Sequence, residues 1–275
     1  MISVALGFTS SVSAQDEFEK SVRPVLLQNC GSCHNPANPK NRRRRCSILV
    51  ERSGPGGTTR ILVDTSPDLR AQCLDAGIGQ VTAVLYTHDH ADHTQGIDDV
   101  RFLKKPAGQP TIPVYGTRET LDVLTRRFEY IFQQNTVGSG HLYKPFLDPI
   151  EVTGPFEIDG IPVVAFEQDH GFGSTSTGYR VGNVAYCTDV SRLPDEALAK
   201  LHGLDLFVVD CLRYEPHPTH AHFDQAVAWA EQLRPRHTIL THMNHMVDYD
   251  VIKAKCPPGV EPAYDGLEVE VPDAG

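Results

Sequence analysis

The stretch Val81-Thr82-Ala83-Val84-Leu85-Tyr86-Thr87-His88-Asp89-His90-Ala91-Asp92-His93 decides the reading of this chain. Its first part is an apolar run of strand length. Its last seven residues, from Thr87, hold three imidazoles and two carboxylates. Imidazole and carboxylate are the natural ligands of borderline divalent metals such as zinc. Crowded at the end of a buried strand with no ion between them, they would repel one another and lose hydration without compensation. One isolated histidine reads as a solvated loop residue. The full His-x-His-x-Asp-His pattern, with a strand leading into it, reads as a metal site.

Outward from this motif the chain reads as α/β. Cys46 to Val50 and Arg60 to Asp64 are strand-like, with Ser53-Gly54-Pro55-Gly56-Gly57 turning between them as a hairpin. Pro67 opens a helix that ends at Gly77. Helices are expected over Arg118 to Gln134, Pro194 to His202 and Phe223 to Leu233. The last carries Ala226, Val227, Ala230 and Leu233 on one face. Further strands run from Pro162 toward His170, through Val184 to Cys187 and on to Asp189, from Leu206 to Asp210, and from Thr238 to His242. Strand after strand thus ends in a possible ligand: His88, His170, Asp189, His242. In α/β folds the loops at the carboxyl ends of strands gather into one site, so these distant positions are expected to converge.

Composition bounds the function. The 275 residues, 40% hydrophobic, are enough for a sizeable core. A net charge of -10 argues against a general nucleic-acid binder, and no stretch has the length and apolarity to cross a bilayer. Met1 to Phe8 is short and apolar but lacks a basic residue, so the expected compartment is cytoplasmic, or periplasmic if Val12-Ser13-Ala14 marks a true signal. Of seven cysteines, Cys46, Cys73, Cys187, Cys211 and Cys256 are scattered, as buried free thiols would be.

The His-x-His-x-Asp-His signature, His170, the Asp189 of Cys187-Thr188-Asp189 and the His242 of Leu240-Thr241-His242 together resemble the metallo-β-lactamase superfamily. The resemblance spans roughly residues 46 to 270. It implies a four-layer αβ/βα sandwich and a site for two divalent metals, zinc or manganese. His88, His90 and His170 would hold the first ion, and Asp92, His93 and His242 the second, with Asp189 bridging. A hydroxide held between two cations is a nucleophile at neutral pH.

Within the superfamily the chain looks most like the phosphoribosyl cyclic phosphate phosphodiesterase branch. Asn38 to Ser47 entering the first hairpin, His222-Phe223-Asp224, and Thr241-His242-Met243-Asn244-His245 carry this likeness. It implies hydrolysis of a small phosphodiester, a cyclic ribose phosphate; His222, with His220 its neighbouring alternative, reads either as the general acid or as a helix-capping or ligand-orienting histidine. Arg42 to Arg45 read either as a solvated basic loop or as a run of which one arginine reaches the substrate phosphate. Asp89 and Asp210 are candidates for orienting ligand imidazoles. Other reactions of the same fold remain open: RNA 3′-processing nuclease, lactonase or thioesterase. The expected partner is a small-molecule substrate, neither membrane nor nucleic acid, and a homodimer is compatible with the sequence.

Residues 1 to 45 form an atypical N-terminal segment ahead of a hydrolase domain at 46 to 275. Asp16 to His34 resembles the haem-attachment fragment of c-type cytochrome domains, through Cys30-Gly31-Ser32-Cys33-His34. Two functional readings stand beside an inert loop. Cys30, Cys33 and His245 would bind a third, structural zinc, as the branch resemblance implies, or the segment would carry haem in a redox or sensor protein.

Overall fold

The computed structural model describes residues 35–272 apart from 36, 55–56, 106–107 and 133–145. Cys30 and Cys33 lie outside the described residues, and with them the structural-zinc and haem readings.

Two sheets carry the strands. In the first, β1 (Ile48–Gly54) and β2 (Gly57–Val63) form the expected antiparallel hairpin, with Ile48 opposite Val63. Then β2 pairs in parallel with β3 (Ala83–Leu85), β3 with β4 (Ile112–Gly116), and β4 with β5 (Leu147–Glu151). The second sheet begins with an antiparallel meander of β6 (Phe156–Ile158), β7 (Ile161–Gly171), β8 (Ser174–Val181) and β9 (Val184–Cys187). It continues in parallel through β10 (Leu206–Asp210), β11 (His237–Thr241) and β12 (Val260–Pro262). Among the helices are α1 (Leu69–Asp75), α2 (Ala91–Thr94), α3 (Ile97–Val100), α4 (Arg118–Arg127) and α5 (Glu129–Phe132). Later come α6 (Asp195–Lys200), α7 (Phe223–Leu233) and α8 (Tyr249–Lys255).

The two-residue period of each strand sorts its side chains into layers. Ile61, Val63, Ala83 and Leu85 of the first sheet meet Val163, Tyr179, Tyr186, Val208 and Ile239 of the second, a core between the sheets. The intervening residues Leu62 and Val84 turn outward onto Leu69 of α1 and Leu121 and Leu124 of α4. On the far side Ala185, Phe207, Val209 and Leu240 pack on Ala197 of α6, Trp229 of α7 and Ile252 of α8. Helix, sheet, sheet, helix: this is the four-layer αβ/βα sandwich, with the central strands β3, β9 and β10 buried on both faces.

Some boundaries differ from the sequence expectation. The helix expected to run on from Arg118 leaves helical geometry at Phe128, whose side chain is buried in the outer core, and resumes as α5. The metal motif is not all loop: His90 caps the short helix α2, which carries Asp92 and His93. Residues of the segment before β1 pack on the start of α8. Asn41, 4% exposed, bonds the Asp248 carboxylate at 2.8 Å and accepts from Tyr249 N at 2.8 Å. Among the described residues, no helix is long and apolar enough to cross a membrane.

Candidate metal centre

The strand ends converge. His88 and His90 follow β3, His93 sits on α2, His170 is near the end of β7, Asp189 follows β9 and His242 follows β11. Asp189 lies at the middle, 2% exposed, and its two oxygens face different histidines. Oδ2 is 3.6 Å from His88 Nε2 and 3.6 Å from His170 Nε2. Oδ1 is 3.1 Å from His93 Nε2 and 3.3 Å from His242 Nε2. His90 completes the first group, with its Nδ1 3.4 Å from His170 Nε2. Asp92 Oδ2 completes the second, 3.7 Å from His93 Nε2 and 3.6 Å from His242 Nε2. All seven ligand candidates read from the sequence therefore come together, in two groups that share one carboxylate.

The donor set fits two divalent ions. Ligands at about 2.1 Å from a tetrahedral ion stand roughly 3.4 Å apart, the spacing seen around each oxygen of Asp189. Among the described residues, the buried Nε2 atoms of His88 and His93 have no hydrogen-bond partner, which is costly unless a cation takes their lone pairs. Burial, with His93 alongside, pushes His88 down to about 2, so its ring is a neutral donor. Burial likewise lowers His170. Burial opposes charge on His93, yet Cys46, Asp64 and Asp189 outweigh it and raise its pKa well above the usual range. His242 is raised in the same way, against burial, by Cys46, Asp189 and Asp92. The bond from His242 holds the Asp92 carboxyl well below its ordinary value.

A second ring of groups aims these ligands. Asp64, fully buried and directly after β2, accepts from His93 Nδ1 at 2.8 Å, from Thr87 N at 2.8 Å and from Thr87 Oγ1 at 2.8 Å. That frees His93 Nε2 for the centre. Sequence reasoning passed over Asp64, although a carboxylate closing an apolar run is the signal that marked Asp189. His170 Nδ1 donates to the Thr219 carbonyl at 2.8 Å, and Thr188 Oγ1 donates to Asp189 Oδ1 at 2.8 Å. Asp64, Asp189 and His242 all hold φ values between 52° and 63°, a left-handed geometry costing about 1 kcal/mol each that the surrounding bonds impose.

His220 and His222 separate clearly. His220 Nδ1 meets Asp210 Oδ2 at 2.9 Å, and its Nε2 lies 3.9 Å from Asp189 Oδ2. Its ring stacks on His242 with centroids 4.9 Å apart. His222, given the leading role in the sequence reading, has no side-chain contact with the cluster among the described residues. The chain turns into α7 there: His222 is the N-cap residue, its carbonyl accepts from Ala226 N, and its backbone pairs with Arg213. Asp210 does orient an imidazole, that of His220. Asp89 does not; it pairs with Arg127 at 3.1 Å.

The arginine run divides its work. Arg43 Nη2 donates to the carbonyls of Val247 at 2.5 Å and Asn244 at 3.2 Å. Arg44 pairs with Asp75 at 2.6 Å. Arg45, 63% exposed, reaches the centre, with Nη1 4.0 Å from Asp92 Oδ2.

The chain is 36% identical to a solved structure described as a new diphosphatase from the PhnP family, with a TM-score of 0.76 over 86% of this chain and 88% of that one. It is 30% identical over 254 residues to an octanoyltransferase of Porphyromonas gingivalis, covering 92% of this chain and 50% of that protein. A ribonuclease Z of Mycobacterium bovis is 27% identical over 181 residues, 55% of this chain and 64% of that one. The chain therefore spans half to about two thirds of these curated relatives. The beta-lactamase superfamily domain matches residues 59–243, from β2 to just past His242. With that match and the layered fold, the chain belongs to the beta-lactamase superfamily.

Proposed function

We propose that this protein hydrolyses a small phosphodiester, a cyclic phosphate on a ribose, at a pair of divalent ions. The observation that carries the reading is the divided carboxylate of Asp189, with His220 and Asp210 beside it. The likeness to the PhnP-family diphosphatase supports phosphoryl chemistry. When bound, the ions supply Lewis acidity toward the phosphate oxygens and acidify water at neutral pH.

The chain's own residues do the rest. His88, His90 and His170 would hold one ion, Asp92, His93 and His242 the other, and Asp189 both. Arg45 offers an exposed guanidinium that can take two phosphate oxygens by parallel hydrogen bonds. His220 replaces His222 as the proton donor. Asp210 accepts its Nδ1–H and orients the ring so that Nε2 faces the reacting centre; in the doubly protonated ring the Nε2–H can pass its proton to a leaving alkoxide.

A nuclease acting on RNA 3′ ends is the second reading, favoured by the ribonuclease Z match. The net charge of -10 weighs against it, because phosphate neutralisation dominates RNA affinity. The test is a panel of metal-loaded assays on a ribose cyclic phosphate, a bis-aryl phosphate, a precursor transfer RNA, a lactone and a thioester. Turnover of the first two with no RNA cleavage supports the proposal. Cleavage of RNA alone moves the protein to the second reading, and turnover of only lactone or thioester overturns both.

A further inference from the structure

Cys46 stands where no sequence reading put it. It precedes β1, half-buried, and was expected to be one more inert thiol. Instead its Sγ, His93 and His242 ring nitrogens and an Asp189 oxygen all lie within 4.8 Å of one another. The sulfur is also 3.6 Å from Thr188 Oγ1, next to Asp189. The segment that delivers it is pinned on both sides. Arg44 N donates to Asp265 at 3.1 Å, Arg45 N to Asp68 at 3.0 Å, and Ser47 Oγ to the carbonyls of Val63 and Asp64 at 3.0 and 2.9 Å. His93 Nε2, on a side chain with no exposure, points into the same space without a hydrogen-bond partner among the described residues.

The geometry points to Cys46 as a sulfur ligand of the second ion, the one assigned to Asp92, His93, His242 and Asp189. This rests on the two-ion reading above. Binding breaks the S–H bond, the proton leaves to solvent, and the sulfur lone pair forms the bond to the ion, with no change of oxidation state. The first position then has only nitrogen and oxygen donors, and the second adds a soft one. Sulfur steers that second position toward zinc or cobalt and away from manganese. The two positions, joined by one carboxylate, would differ in metal preference.

Cobalt(II) substitution tests this without reference to activity. A cobalt–thiolate bond adds a charge-transfer absorption band in the near ultraviolet. The intensity of that band per chain should fall in Cys46→Ser at equal cobalt content, whatever cobalt Cys30 and Cys33 take up. An unchanged band at equal content overturns the proposal and leaves the two-ion reading intact. Failure of the wild-type protein to hold cobalt at the histidine cluster overturns both. A second measurement needs no variant: iodoacetamide labelling of the wild-type protein, read by peptide mass. Cobalt should protect Cys46 at least tenfold while Cys73, half-buried on α1, labels at the same rate with or without metal. Equal labelling of Cys46 in both states overturns the assignment.

Discussion

His220→Ala should keep both ions and slow phosphodiester cleavage by about a hundredfold or more, most severely for poor leaving groups. His222→Ala should change the rate little, since His222 starts α7 through its backbone and its side chain makes no capping bond. Steady-state rates with aryl and alkyl leaving groups separate the two; a normal rate for His220→Ala with an alkyl group would remove the proton-donor role. Asp64→Asn keeps the shape beneath His93 but exchanges one carboxylate oxygen for a donor. Metal affinity, measured by competition with a chelating dye, should fall about 10- to 100-fold; an unchanged affinity would mean that Asp64 serves folding only. At this scale the sequence was most legible where ligands are dense or close an apolar run, as at His88, His90, Asp92, His93, Asp189 and His242. It was least legible where neighbours in sequence compete. Nothing local sets His220 apart from His222, because the bond that His220 makes is to Asp210, at the end of β10. Cys46 was illegible for the same reason, since Asp189 and His242 reach it from far along the chain.

Elements were legible where one pattern ran unbroken. The helix α7 was bounded at Phe223 and Leu233 by its apolar face, and β9, β10 and β11 by continuous apolar runs. Missed were β4, β5, β6, β8 and β12. Pro113 interrupts β4, Pro149 sits in the edge strand β5, and β8 is rich in serine and threonine. Their pairing comes from neighbouring strands rather than from their own pattern. The turn after β7 shows how elements position chemistry. Gly171 has φ +82°, and a methyl group there would lie 2.2 Å from the Pro218 carbonyl oxygen. This close approach sets the His170 strand against the loop bearing Thr219 and His220. Gly171→Ala should cost about 2 kcal/mol or more, visible as a fall of several degrees in Tm, and lower turnover beyond what the lost stability explains. Wild-type Tm and rate in that variant would mean that the two segments are not coupled through this turn.

For the whole molecule, the centre is where two sheets meet, and its charges link metal, proton and stability. In the metal-free protein the pKa values of His93 and His242 are raised by their anionic neighbours. Raised folded values give stability that is complete below about pH 6.5, the ordinary histidine value, and is lost as pH rises through the folded values. A bound ion replaces those protons, so the loaded protein lacks this loss. The Tm difference between loaded and stripped protein should therefore widen as pH is raised from about 6 to about 8; a constant difference would show that the protons and the ions do not compete. The sandwich and the bridging place of Asp189 were legible from the recurrence of strand-end ligands and the family likeness, whereas which oxygen of Asp189 faces which histidines needed coordinates. The division of Asp189 between two groups is the central claim, and metal content per folded chain tests it most directly. Asp189→Ala, compared with wild-type protein by elemental analysis after equal loading, should lose two ions together, and Asp92→Ala only one. An Asp189→Ala protein that keeps both ions would contradict the shared centre.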